Sequence, residues 1–299
     1  MLKIKVPAST ANMGPGFDSF GMALNLYNEF QIEETDKDII FLENGEPSSI
    51  PLNENLIYNS MIKAFQKHKY KFKGLYINVT KADVPLSRGL GSSATCIAAG
   101  IKAANHIMGN IMPKQEILNL ATEIEGHPDN VVAALEGGFD VSLVENNQVL
   151  YSKITPPEEL VFAALIPNFK MSTLSGRKVL PDKYNRKDCV FNISRAALLI
   201  SVFYNKDFEK LRTCFQDKIH QPYRGESIKN LNSIFETAKR FGSLGEFISG
   251  SGSTLMTVIH KDNIDFLENM KNYLKTMEVS WEIKLLKPDC NGTEITVCQ

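Results

Sequence analysis

An α+β fold is what this sequence predicts, on three observations. Strand-like, β-rich runs stand at residues 2–6, 75–80 and 160–166, longer stretches of helical character lie between them, and there is no internal repeat, low-complexity tract or Gly/Ser linker. The first strand begins at Leu2. A helix is expected over 55–68, and a second over 93–108, where a small, apolar run follows two glycines and two serines. Helices at 114–123 and 130–135 flank a polar cluster, and three more are expected over 192–204, 228–241 and 263–276. Phe247-Ile248 and Leu255-Met256 enclose Gly250 and Gly252, as a tight turn between strands would require.

At about 150 residues per domain, 299 residues suggest two domains. Turn chemistry at Asn146, Asn147 and Pro156-Pro157 puts the join near residue 160, dividing the chain into 1–160 and 161–299. With 43% hydrophobic and 22% charged residues the chain has ample core material. A net charge of −1, with both signs interspersed, gives no field to hold a polyanion, so nucleic acid is not an expected partner. Five scattered cysteines form no C-x-x-C pair and read as reduced thiols. No signal-peptide pattern opens the chain and no run of 18 apolar residues follows, so a cytoplasmic location without membrane insertion is expected.

The most informative stretch is Pro85-Leu86-Ser87-Arg88-Gly89-Leu90-Gly91-Ser92-Ser93-Ala94. Two glycines let the backbone turn with positive φ and approach a ligand, and two hydroxyl residues stand where a helix begins with unpaired N–H groups. That is the chemistry of a phosphate cradle, although a capped helix after a glycine turn accounts for the same residues taken alone. A Walker A loop would end in Gly-Lys-Ser/Thr, and a dinucleotide fold is a weak reading because the preceding strand ends near Thr80 and no suitable acid on a second strand follows.

The full run resembles the ATP-binding motif of the GHMP kinases. Two further stretches match that family in order: residues 5–18, Lys-Val-Pro-Ala-Ser-Thr-Ala-Asn-Met-Gly-Pro-Gly-Phe-Asp, and residues 248–253, Ile-Ser-Gly-Ser-Gly-Ser, where Ser253 replaces a frequent proline. The resemblance spans nearly the whole chain. It implies a two-domain fold with the active site in the interdomain cleft, ATP and Mg²⁺ as cofactors, and residues 85–94 together with Asn55 near the nucleotide.

Within the family, the branch that phosphorylates L-homoserine to O-phospho-L-homoserine, in threonine biosynthesis, gives the best match. By that resemblance Asn12, Asp18, His127, Asn130, Arg177 and Arg224 bind the amino acid. Guanidinium forks suit its carboxylate. Ser93 and an acid of the run Glu123-Ile124-Glu125-Gly126-His127-Pro128-Asp129-Asn130 hold the metal; Glu123 is the assignment, with Glu125 the competitor because the spacing to His127 varies within the family. Asp129 and Asn130 are the candidate catalytic residues. Asp129 corresponds to a base in related kinases, whereas transfer without a base is equally compatible with a loose transition state. Other readings are a different GHMP kinase, such as one acting on mevalonate, whose acceptor lacks an amine, or a silent ligand-binding relative, which would have lost the metal acid or the phosphate serines. A homodimer is one of the states the sequence allows.

Overall fold

The computed structural model describes residues 1–298 and builds them around two sheets. Its strands are β1 (Leu2–Ala11), β2 (Phe20–Thr35), β3 (Ile39–Glu43), β4 (Glu46–Pro47), β5 (Gly74–Ala82), β6 (Phe139–Glu145), β7 (Gln148–Ile154), β8 (Leu160–Pro167), β9 (Gly245–Ile248), β10 (Leu255–His260), β11 (Trp281–Leu286) and β12 (Glu294–Val297). Its helices are α1 (Leu56–Lys67), α2 (Ser92–Ile107), α3 (Lys114–Glu125), α4 (Asp129–Glu136), α5 (Thr173–Lys178), α6 (Arg186–Asn205), α7 (Leu211–Cys214), α8 (Gln221–Gly225), α9 (Leu231–Arg240) and α10 (Phe266–Leu274).

The first sheet runs β12-β1-β2-β5-β3-β4, with β6 on β2 and β7 on β6. All its pairings are antiparallel except β3 with β5. The second runs β11-β8-β10-β9, antiparallel throughout. In β1, Leu2, Ile4 and Val6 turn inward while Lys3 is exposed and Lys5 partly so, the period of two that a half-buried strand needs. Those residues pack with Ile57, Met61 and Phe65 of α1 and the small residues of α2. The run of small residues has a packing cause: a Cβ on Gly100 would collide with the Ile57 carbonyl, so the two helices approach backbone to side chain. A second apolar cluster mixes Met13, Met22 and Phe139 with Phe162, Phe247 and Met256 and so ties the two sheets together.

The seven expected helices are all present, with shifted ends. The expected 192–204 helix begins earlier, at Arg186, because Asn185 caps it through the Asp188 N–H at 2.9 Å. The 228–241 helix begins later, at Leu231, since Asn230 is left-handed at φ 63°. The 114–123 helix runs on to Glu125 and stops at Gly126, φ 92°. That extra half-turn decides which acid faces the site.

Candidate active site

Gly89 and Gly91 carry φ of +75° and +70°, and Gly91 is the residue from which α2 springs. The first backbone donor that returns into the helix is Thr95 N, to the Gly91 carbonyl at 3.0 Å. The N–H groups before it are the unpaired set of a helix start, and Ser92 and Ser93 line a cavity of ≈530 Å³ there. Glycine is required at both turn positions. A Cβ at Gly89 would strike the Ser249 carbonyl oxygen, and one at Gly91 would strike Ser9 Oγ.

The three motifs converge on this loop. Ser249 Oγ donates to Gly89 O at 2.5 Å and shares a 2.7 Å hydrogen bond with Thr10 Oγ1, while Gly250 N donates to Ala11 O at 3.0 Å. Ser253, where relatives often carry proline, is fully buried and donates its hydroxyl to Phe169 O at 2.7 Å. Asn12 is spent on the same junction: its Nδ2 donates to Gly250 O at 2.9 Å and its Oδ1 accepts from Asp18 N at 2.9 Å. It lines the cavity, yet its side chain shapes the loop that carries Asp18.

The structure turns Glu123, the expected metal acid, away from the cavity. Its carboxylate is 68% exposed and lies 4.0 Å from Lys63 Nζ, outside the cavity. Glu125 lines the cavity and accepts the Ser93 hydroxyl at 2.7 Å. Two residues along a helix is a rotation of about 200°, so the acids cannot share a face. Burial pushes the Glu125 carboxyl above its usual range, against the opposing pull of the Ser93 hydroxyl. Ser93 and Glu125 form a hard-oxygen pair beside a helix start, a donor set that suits Mg²⁺ completed by phosphate oxygens and water.

After Gly126 the chain turns into α4. Asp129 Oδ1 accepts from His127 Nδ1 at 2.5 Å, Asn130 N at 2.7 Å and Asn130 Nδ2 at 3.3 Å. Asn130 Oδ1 in turn accepts from Ser9 Oγ at 2.8 Å. Burial pulls the His127 imidazole down, but the Asp129 carboxylate and its hydrogen bond, with Glu125 and Asp18 nearby, outweigh it, so the ring titrates above the usual histidine value. Asp18, His127 and Asp129 bring ligand-type atoms within 4.8 Å of one another, an acidic corner suited to a cation.

The two arginines stand against the same cavity. Arg177 forms a two-bond fork on Asp18, at 2.9 and 2.8 Å. Arg224 is buried; it donates to Gly176 O at 3.1 Å and Gly250 O at 2.9 Å. Burial pushes its pKa down to about 10, which leaves it a cation at neutral pH. Its third partner is His220 Nδ1 at 3.2 Å, on a ring whose Nε2 lies 2.8 Å from Gly14 O. Burial, helped by Arg224, pulls His220 to about 4, so it is neutral, donating through Nε2 and accepting through Nδ1. His220 was missed in the sequence, although its spacing of four from Arg224 on a helical turn was a usable signal.

Of the expected nucleotide residues, Pro85 to Gly89, Gly91, Ser92, Ser93 and Asn55 line the cavity. Leu90 and Ala94 do not: both are fully buried in the two apolar clusters. Arg88 turns its guanidinium to Pro167 O at 2.8 Å and Leu86 O at 3.0 Å, which makes it a brace of the loop. Asn55 Oδ1 caps α1 by accepting from Tyr58 N at 2.9 Å. The apolar end of the cavity, with Phe30, Phe41, Ile50, Leu56 and Val79, was not expected, because it is assembled from separate segments with no motif.

Comparison with known proteins agrees with this geometry. Residues 55–138 match the family profile "GHMP kinases N terminal domain" and residues 199–275 match "GHMP kinases C terminal". A homoserine kinase of Clostridium novyi is 57% identical, covering 99% of this chain and 99% of that protein. The chain belongs to the homoserine kinase branch of the GHMP kinase family. A second relative, the homoserine kinase of Clostridium kluyveri, is 53% identical over 98% of both chains. The crystal structure of homoserine kinase from Cytophaga hutchinsonii superposes with a TM-score of 0.88 at 26% identity, covering 99% of this kinase and 97% of that chain. The kinase is thus an ATP-dependent phosphotransferase with an alcohol as acceptor. Among the described residues no helix is long and apolar enough to cross a membrane.

Proposed function

We propose that this kinase transfers the γ-phosphoryl group of ATP to the side-chain hydroxyl of L-homoserine, in the cytoplasm, with Mg²⁺ held by Ser93 and Glu125. The observation that carries the acceptor is the placing of one carboxylate, Asp18, and two guanidiniums, Arg177 and Arg224, around the cavity that the glycine loop enters. An α-amino acid presents an ammonium to the first and a carboxylate to the others. The cavity is lined by both halves of the chain, and we take the boundary at residue 160, where β8 begins.

Phosphoryl transfer asks mainly for alignment and charge stabilisation. The free N–H groups at the start of α2 would face the phosphates, and the closure of the 248–253 loop on Gly89 keeps that loop from opening to water. When bound, Mg²⁺ supplies neutralisation of phosphate charge. Asn130, braced by Ser9 and Asp129, stands beside Gly91 and is suited to orient the acceptor.

The acceptor reading is tested by ADP release with L-homoserine, mevalonate, galactose and shikimate; L-homoserine should be turned over fastest, and faster turnover of mevalonate would overturn it. We further propose that Asp129 orients His127 and Asn130 rather than accepting the proton, since its Oδ1 already receives three donors. Asp129→Asn should then lower the single-turnover rate less than about tenfold. A loss of ~10²–10⁴, the usual contribution of a general base, would make it one.

A further inference from the structure

The two groups that would receive the opposite charges of the acceptor hold each other. Asp18 and Arg177 share two hydrogen bonds, at 2.9 and 2.8 Å, with their side chains 33% and 37% exposed. They come from opposite parts of the chain: Asp18 from the loop after β1, Arg177 from the short α5 beyond β8. Arg224, by contrast, meets carbonyls and a neutral imidazole, and no carboxylate bonds to it among the described residues.

We propose that the Asp18–Arg177 ion pair is a selectivity latch that favours zwitterionic acceptors over singly charged ones. The argument rests on the amino-acid reading above and extends it. A ligand with both an ammonium and a carboxylate exchanges one internal pair for two new ones, so neither residue is left without a counter-ion. A hydroxy acid that takes both Nη groups of Arg177 separates it from Asp18, which leaves that carboxylate in a half-closed cavity beside Asp129, with His127 as its remaining basic neighbour. An amino alcohol strands the guanidinium in the same way. The latch therefore penalises a singly charged acceptor by more than the contact it lacks, which is selection by a repulsive element as well as an attractive one.

This makes a prediction opposite in sign to that of a simple contact. 4-Hydroxybutanoate has the hydroxyl and carboxylate of homoserine but no amine, so it gains nothing from Asp18. Removing Asp18 should free Arg177 for it. In calorimetric titrations, Asp18→Ala should bind 4-hydroxybutanoate about two- to fivefold more tightly than the wild type, the range that partly exposed ion pairs reach. The same variant should bind L-homoserine at least about tenfold more weakly, by the loss of a charged contact. Asp18→Asn, which can still accept one hydrogen bond from Arg177, should fall between. Unchanged or weaker binding of 4-hydroxybutanoate by Asp18→Ala, with ATP affinity retained as the check on folding, overturns the latch. The readout concerns carboxylate binding alone, so it stands apart from the acceptor panel: failure of L-homoserine to bind the wild type sinks the substrate reading, whatever the hydroxy acid does.

Discussion

Glu125→Gln is expected to lower kcat by on the order of a hundredfold and to raise the Mg²⁺ concentration needed for half-maximal rate. Outer partners of metal sites already cost about 10–100-fold when removed, and Glu125 lies closer than that. The change keeps the shape of the side chain and its acceptor for the Ser93 hydroxyl, so folding should be preserved. Glu123→Gln is the internal control. Its carboxylate is exposed and meets Lys63 at 4.0 Å, so it should alter kcat by less than about twofold, as exposed ion pairs do. Steady-state rates for both variants across a magnesium titration decide the matter, and a larger loss from Glu123→Gln would return the metal to the other face of α3.

Gly89→Ala should be nearly as damaging, for a different reason. The left-handed backbone at φ +75° costs a non-glycine residue roughly 1–2 kcal/mol, and the added methyl would in addition drive into the Ser249 carbonyl. Gly109→Ala separates the two effects. Gly109 has φ +83° with nothing within 4 Å of its would-be Cβ, so that variant meets the backbone term alone. We expect Gly109→Ala to lower the thermal midpoint by several degrees and keep full activity. Gly89→Ala should lose more stability and also raise the KM for ATP sharply, because the 248–253 loop must move off the phosphate cradle. Wild-type ATP kinetics in Gly89→Ala would mean that the contact between the two loops is dispensable.

Much of this was legible in the residues, and the misses share a physical origin. Local features were readable: the glycine turn into α2, the helix α1, the strand that begins at Leu2. Asp18, Arg177 and Arg224, which line the cavity, were named through motif resemblance. Glu123, the expected metal acid, lies outside the cavity that Glu125 lines; the choice depended on where α3 ends, and helix ends are the least certain part of a sequence reading. Leu90 and Ala94 lie inside the motif but face the core, as alternate positions of a loop entering a helix must. The apolar end of the cavity is a product of tertiary assembly, invisible until β2, β3 and α1 are brought together, whereas the His220 brace on Arg224 is a local contact whose spacing of four was overlooked. The 16-residue β2 was missed outright; its first five residues are buried without alternation, but Leu26, Asn28, Phe30 and Ile32 beyond them are buried at a period of two that was overlooked.

The pairing of β12 with β1 bears on how the molecule comes into being. Leu2 lies opposite Val297 and Lys5 opposite Glu294, so the strand that flanks β1 on that side is translated only after the whole second sheet. Until residues 294–297 leave the ribosome, the outer edge of β1 has its hydrogen-bonding groups exposed, although β2, β5, β6 and the four covering helices are already available to fold. A nascent chain would thus hold an open strand edge through the synthesis of the whole second half, the state most prone to mispair with a neighbouring chain. Lys3 and Lys5, on the outward face of that edge strand, are the charges that natural strands use to discourage such pairing.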